Sequence, residues 1–185
     1  MKFSQLAASL DQLEATNSRN ELVRILAEVY RACSADEIEP ITYLIQGRLA
    51  PFFEPVEIGL GERLLLSAIA VAYDAPKEEV SKVYRQAGDL GVAAQRLAPA
   101  SSRESPPVVE VHQRLSQIAA AGGAGSQQKK LDLFTALLVE LDPASAKHLV
   151  RITLGKMRLG IGDPTVLDAL SFAKVGDLSL IHISE

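Results

Sequence analysis

The sequence has few of the residues on which disulfide-bonded, metal-binding and membrane-spanning proteins depend. Its 185 residues include one cysteine, three histidines and no tryptophan. A single cysteine excludes a disulfide framework or a multi-cysteine zinc site within one chain. The longest apolar run, LLLSAIAVAY at 64–73, is about half the length of a transmembrane helix. The N-terminus also lacks the apolar core of a signal peptide, so we predict a cytoplasmic protein without a membrane partner.

Catalytic and metal-binding patterns are equally scarce. His112 and His148 fall in separate predicted helices, and His182 lies near the C-terminus, so their spacing is not that of a metal site. Cys33 follows an apolar helical run, which favours a buried structural thiol. No nucleophile–base pair or pair of carboxylates stands out. We therefore predict neither catalytic residues nor a metal site.

The composition instead favours helices. Leu, Ala, Glu, Lys, Arg and Gln are abundant, and aromatic residues make up 5% of the chain. The formal net charge is −4, yet residues 101–160 carry eight Lys and Arg against five Asp and Glu. A locally basic segment can bind phosphate whatever the total charge.

Helical periodicity runs along most of the chain and is accompanied by capping signals. A first amphipathic helix is expected from Phe3 to Leu13, and Ser18 is a candidate N-cap for the second. Ser34 with Glu37 resembles a capping box. The proline- and glycine-rich stretch 48–61 is predicted to be a loop held by its apolar residues, Phe52, Phe53, Val56 and Ile58. These patterns predict an all-α, compact multi-helix domain.

A proline- and serine-rich segment divides the helical pattern. We predict a linker at 99–106 between two helical lobes, 1–98 and 107–177, which together form one domain, 1–177. Residues 178–185, LSLIHISE, form an aberrant tail after this domain.

The stretch RITLGKMRLGIGDPT, 151–165, combines cations with glycines. Arg151, Lys156 and Arg158 crowd a predicted helix end, where positive charge also suits the helix dipole. Asp163 followed by Pro164 predicts the start of a new helix. The glycines allow close approach of another backbone, and LGIGDPT is similar to the glycine hairpin of helix-hairpin-helix modules, which hold DNA phosphates. The glycines of this turn are Gly155, Gly160 and Gly162.

A second glycine-rich segment, GGAGSQQKK, precedes another predicted helix. Ser126 is a candidate cap after Gly125, and Lys129 and Lys130 lie one turn inside. Such a helix start suits an anion, although an ordinary capped connection with solvated lysines would have the same sequence. The segment is not a Walker A loop, because the order of glycines and lysine differs.

Several blocks in order resemble the N-terminal DNA-binding domain of ATP-dependent DNA ligases, particularly the archaeal-type enzymes that also occur in bacteria. They include FSQLAASLDQLEATNSRNELVRILAEVY, YLIQGRLAP, VEIGLGERLLLSAIA and HLVRITLGKMRLGIGDPTVLDALSFAKVGD. The resemblance implies an all-helical domain that holds nicked duplex DNA by its backbone and minor groove. It implies backbone-contacting roles for Gly155, Lys156, Arg158, Gly160 and Gly162 of the glycine turn, for Gly125 with Ser126, Lys129 and Lys130, and for Gly47 with Arg48. Arg151, the first cation of the same basic stretch, is also a predicted DNA-binding residue. The last residues, 178–185, depart from the ligase pattern and look like read-through from adaptor sequence, which indicates a truncated or artefactual gene product.

The resemblance also implies what the rest of such an enzyme would do. A full-length ligase would use ATP and Mg²⁺ to seal nicks in replication, repair and recombination, through catalytic domains that would be partners of this one. The adenylation motif K-x-D-G does not occur here, since Lys130-Leu131-Asp132 is followed by Leu133. We therefore expect no cofactor in this chain, no ligase activity of the chain alone, a monomer, and a nucleoid-associated location.

Two alternatives remain at this stage. The chain could be a helix-hairpin-helix accessory protein of DNA repair that is unrelated to ligases. It could also be a helical protein-interaction scaffold, since amphipathic helices alone do not distinguish the two.

Overall fold

Ten helices make up the chain over the residues that the structure describes, 1–54, 56–100 and 104–175. In this computed structural model they are α1 (Phe3–Glu14), α2 (Arg19–Arg31), α3 (Ala35–Ile45), α4 (Glu62–Ala72), α5 (Lys77–Ala87), α6 (Leu90–Leu97), α7 (Val108–Ala120), α8 (Ser126–Val139), α9 (Pro143–Leu154) and α10 (Asp163–Val175). The strand-like pairing within those ranges is one isolated bridge between Lys2 and Pro107. The predicted all-α class is confirmed.

The predicted capping signals agree with the observed helix starts in α2 and α3. The Ser18 hydroxyl accepts a hydrogen bond from the Glu21 N–H at the start of α2. Ser34 and Glu37 form the expected capping box of α3, and Glu37 also pairs with the N-terminal amine. These local bonds satisfy N–H groups that have no acceptor within the helix.

The other two predicted caps are displaced by one residue. Gly125, in the left-handed conformation at φ 77°, is the N-cap of α8, and Ser126 is its first helical residue. Asp163 is likewise the first residue of α10, and its carboxylate accepts hydrogen bonds from Gln46 and Arg48. The Asp163 carboxylate thus joins the start of α10 to the loop after α3.

The loop between α3 and α4 is held differently from the prediction. Phe52 and Phe53 are 79% and 70% exposed, and Val56 is 43% exposed. Ile58 and Leu60, by contrast, are buried in the core. The prediction that the phenylalanines anchor this loop is therefore wrong, because the chain turns into the core only after residue 57.

Helices from both sides of the predicted linker pack on each other. The main partners are α2 with α10, α6 with α9, α4 with α8, and α1 with α9. Their buried side chains form one continuous hydrophobic cluster. The ranges 1–98 and 107–175 share this core, while the lobe boundaries themselves stay a prediction. Linker positions 101–103 and the tail 178–185 with His182 lie outside the described residues.

Helix α9 lies at the centre and is buried from Ser145 to Thr153. Its Lys147 Nζ lies 2.6 Å from an Asp11 oxygen and 2.9 Å from a Glu14 oxygen of α1. His148 Nε2 lies 2.7 Å from the same Asp11 oxygen. Asp11, Glu14 and His148 are close enough to ligate an ion, but the two carboxylates are already paired with side-chain cations. The group is an ion-pair network that ties α1 to α9.

Acid is expected to destabilise the fold through Glu14. Hydrogen bonding from Arg151 lowers the pKa of the Glu14 carboxyl from 4.5 to about 2. Because this folded-state pKa is below the unfolded-state value, Glu14 stabilises the fold above pH 4.5, and the contribution disappears as the pH falls through about 2. Burial also lowers the pKa of the His148 imidazole. Below the ordinary histidine pKa, protonation therefore favours the unfolded chain, and this destabilises the fold further.

Urea unfolding of the wild-type chain and Glu14→Gln across this acid range measures the effect. The stability difference between the two should shrink steadily as the pH falls, since only the wild type has a carboxylate to protonate. A constant difference at every pH would contradict the assignment.

The remaining predictions concern single residues and the membrane. Cys33 is half-buried and its Sγ donates to the Val29 carbonyl at 2.9 Å, and burial raises the pKa of the thiol to about 11. His112 Nε2 bonds to the Leu49 carbonyl at 2.9 Å. Both side chains are therefore bonded to backbone carbonyls within the protein, as structural residues are.

Among the described helices, none combines the length and hydropathy that crossing a membrane requires.

Candidate nucleic-acid interface

The basic glycine turn is a short segment between α9 and α10 with alternating burial. Gly155 ends α9 in the left-handed conformation at φ 65°, which a residue with a Cβ rarely adopts. Met157 and Leu159 are buried, whereas Lys156, Arg158 and Gly160 are exposed. The two apolar side chains thus anchor the turn on the core and direct the cations outward.

The backbone of this turn offers hydrogen-bond donors. In the described part of the chain, the N–H groups of Gly160, Ile161 and Gly162 have no protein acceptor. Arg158 has φ 59°, an unusual value for a residue other than glycine. Its Nη2 donates to the Gly88 carbonyl at 3.1 Å. An exposed backbone with free donors beside two cations suits an oxyanion such as a phosphodiester.

The loop after α3 lies directly against this turn. A Cβ added to Gly47 would lie 3.0 Å from Met157 Cγ and 3.2 Å from Gly155 Cα, so the two backbones approach more closely than a larger residue allows. Arg48 Nη2 lies 2.7 Å from an Asp163 carboxylate oxygen. The structure thus brings Gly47 and Arg48 together with the basic glycine turn.

An open groove continues from these two segments. It has a volume of about 410 Å³ and is lined by Gly47 to Leu49, by 56–61 and by the end of α9 from Ile152 to Gly155. Gly61, the N-cap of α4, is at its edge. Both ends of the loop between α3 and α4 and the end of α9 therefore face one surface.

The start of α8 is joined to this surface through Lys130, but not as predicted. Lys130 is buried, and its Nζ donates to the Ile58 and Ala119 carbonyls at 2.8 and 3.3 Å. Its ammonium group therefore holds the 56–61 loop in place by hydrogen bonding and is not available to a ligand. Lys129 is exposed, as are Gly125 and the turn before it.

Arg151 also lies away from the surface. It is 3% exposed, and its guanidinium pairs with Glu14 at 2.9 Å and with Asp89 at 3.0 Å. These contacts join α9 to α1 and to the N-cap of α6. We therefore leave Arg151 and Lys130 out of the candidate interface, because both cations are buried and bonded within the protein.

The exposed cations of the surface have acidic partners, which the sequence reasoning missed. Lys156 Nζ lies 2.7 Å from Glu62, and Arg158 Nε lies 3.4 Å from Asp89. Glu62 raises the pKa of Lys156 and keeps it protonated. A glycine followed by an acid at the helix starts, as in Gly61-Glu62 and Gly162-Asp163, is the signal that could have indicated these partners.

Comparison with known proteins identifies the family. The model of the DNA ligase N terminus matches residues 2–171. The chain belongs to the DNA ligase N-terminal family. It is 43% identical to a probable DNA ligase of Dictyoglomus turgidum over 97% of the chain, and 42% identical to DNA ligase 1 of Methanosarcina acetivorans over 96%. A DNA ligase of Saccharolobus shibatae is 38% identical over the whole chain.

The match covers only part of each related ligase. The aligned region makes up 31%, 30% and 33% of these three relatives. Membership of the ligase family decides against a repair accessory protein unrelated to ligases. The resemblance stated from the sequence is confirmed over almost the whole chain.

Proposed function

We propose that this chain is the DNA-binding domain of an ATP-dependent DNA ligase and holds nicked duplex DNA through its sugar-phosphate backbone. The observation that carries the proposal is the exposed surface formed by the basic glycine turn and the Gly47–Arg48 loop, in a chain of the ligase N-terminal family. The cations and free N–H groups of this surface match the charge and hydrogen-bonding needs of phosphates. Lys129, Gly125 and Ser126 extend the proposed contact toward α8.

The chemistry of this surface favours binding without sequence preference. Its donors are backbone N–H groups, Lys156, Arg158 and Arg48, which suit phosphate oxygens on the minor-groove side. Asn and Gln side chains of the kind that read base edges are scarce here, and Gln46 is bonded to Asp163. The domain would therefore position DNA, and it would not select a sequence.

The sealing reaction is proposed for the full-length enzyme, in which this domain would act with catalytic domains. That enzyme would use ATP and Mg²⁺ to join 3′-hydroxyl and 5′-phosphate ends in replication, repair and recombination. The lysine that accepts AMP would belong to those other domains, because the K-x-D-G motif is missing from this sequence. A monomer acting in the cytoplasm near the nucleoid fits this role.

Binding to a fluorescent duplex over a series of salt concentrations tests the proposed function. We expect a linear fall of log affinity with log salt and a slope of about −3, because at least three exposed cations would replace counterions. A nicked duplex should bind at least as tightly as an intact one, and changing the sequence should have little effect. Absence of salt-dependent binding to either duplex would overturn the proposal.

A further inference from the structure

Two exposed carboxylates occupy the cations that the proposed interface offers to phosphate. Glu62 is the first residue of α4 and lies 2.7 Å from Lys156 Nζ. Asp163 is the first residue of α10 and lies 2.7 Å from Arg48 Nη2. Both acids come from helices that border the surface, and both reach cations on a different segment.

These pairs are open to solvent, unlike the ion pairs in the core. The side chains of Lys156 and Glu62 are 59% and 43% exposed, and that of Asp163 is 61% exposed, while its partner Arg48 is 26% exposed. Exposed ion pairs contribute little to stability and separate easily. Asp89, the acid beside Arg158, is 6% exposed and is shared with buried Arg151, so it is fixed in place.

A phosphodiester and a carboxylate compete for the same ammonium or guanidinium group. When a phosphate approaches Lys156, the Glu62 carboxylate either gives up its bond or stays beside the new anion and repels it. A single phosphate gains little from such an exchange. A duplex presents several phosphates at a fixed spacing, so it can replace both carboxylates in one binding event.

Building on the proposed DNA-binding function, we propose that Glu62 and Asp163 are exchangeable internal counter-ions of the DNA-binding surface. They weaken its attraction for isolated anions and make tight contact depend on a continuous phosphate backbone. Both acids lie at exposed helix starts outside the hydrophobic core, so we expect their substitution to leave the core intact. Their contribution is to the strength and the selectivity of binding.

The test compares Glu62→Gln, Asp163→Asn and the double variant with the wild-type chain on the same nicked duplex. Each single substitution should tighten binding about fivefold at low salt, because it removes a negative charge close to the phosphate. The double variant should show the product of the two gains. The advantage should shrink as salt rises, and each variant should have a steeper salt slope.

Glu21→Gln is the matched control. Glu21 pairs with Arg24 at 2.7 Å on the exposed side of α2, so the substitution makes the same change in net charge at an ion pair outside the surface. We expect its affinity to differ from the wild type by less than twofold. Inorganic phosphate should compete more effectively against the double variant than against the wild type, whereas Glu21→Gln should not show this gain.

Two results would overturn the counter-ion role, and they are distinguishable. If the wild type binds but Glu62→Gln and Asp163→Asn bind equally or more weakly, the carboxylates position the cations and the proposed function stands. If the wild type itself shows no salt-dependent binding, the proposed function fails, and the counter-ion role fails with it.

Discussion

Replacing Arg151 with alanine is expected to lower the free energy of unfolding by about 3–5 kcal/mol. The guanidinium pairs with Asp89 and Glu14, and Asp89 is 6% exposed. Burial raises the pKa of the Asp89 carboxyl, but hydrogen bonds from Arg151 and the Val92 N–H, together with the charges of Arg151 and Arg158, lower it below its ordinary value. Without Arg151, Asp89 becomes a buried charge that retains the Val92 N–H bond and the more distant, exposed Arg158 at 3.4 Å.

Chemical denaturation followed by circular dichroism measures this loss. Arg24→Ala is the control, because Arg24 pairs with Glu21 on the exposed surface and its removal should change stability little. Arg151→Lys keeps the positive charge but loses the planar, bidentate guanidinium, so its stability should lie between that of the wild type and that of Arg151→Ala. It also provides a measurement if Arg151→Ala does not fold. Equal stability of Arg151→Ala and Arg24→Ala would show that the buried cluster does not hold α9.

Arg151 also shows why charge along the sequence is an incomplete guide to a surface. It precedes Lys156 and Arg158 in a basic stretch, and the sequence analysis placed all three on DNA. The packing of α9 between α1 and α6 turns position 151 inward, which the basic stretch by itself does not indicate. A sequence signal did exist, because Asp11 and Glu14 of α1 supply acids at a spacing of three on an otherwise apolar face.

Local patterns predicted the helices well because their causes are local. The 3.6-residue periodicity and the capping bonds at Ser18 and Ser34 depend on residues within one or two turns. The approach of Gly47 to Gly155 depends on where α3 and α9 end in space, which no local pattern contains. The loop at 50–57 has no periodicity, so its apolar residues gave no information about which of them face the core.

The same distinction applies to the candidate site. The sequence indicated a basic glycine turn, and the structure has an exposed one, held by Met157 and Leu159. Glu62 is far from that turn in the sequence, and Asp163, which directly follows the turn, pairs with Arg48 of a distant loop, so neither pairing was predicted. They matter because they change how the cations of the surface would respond to a phosphate.

Reversing both charges of the basic glycine turn, Lys156→Glu with Arg158→Glu, is expected to weaken DNA binding by about 100-fold or more at low salt. The change removes two phosphate contacts and places two negative charges against the backbone. The slope of log affinity against log salt should also become less negative by about two, because two phosphate contacts are lost. Both side chains are more than half exposed, so we expect the fold to persist, and circular dichroism would verify this.

Arg19→Glu with Arg24→Glu is the matched control for this reversal. Both arginines are exposed and ion-paired, with Asp168 and Glu21, and they lie on α2 outside the basic glycine turn. The net charge changes by the same amount, so a general electrostatic effect would weaken both double variants equally. If binding depends on the turn itself, the control should retain most of its affinity, while equal losses would place the DNA contact elsewhere. Unchanged binding by Lys156→Glu with Arg158→Glu would remove the turn from the interface and favour a protein partner for this chain.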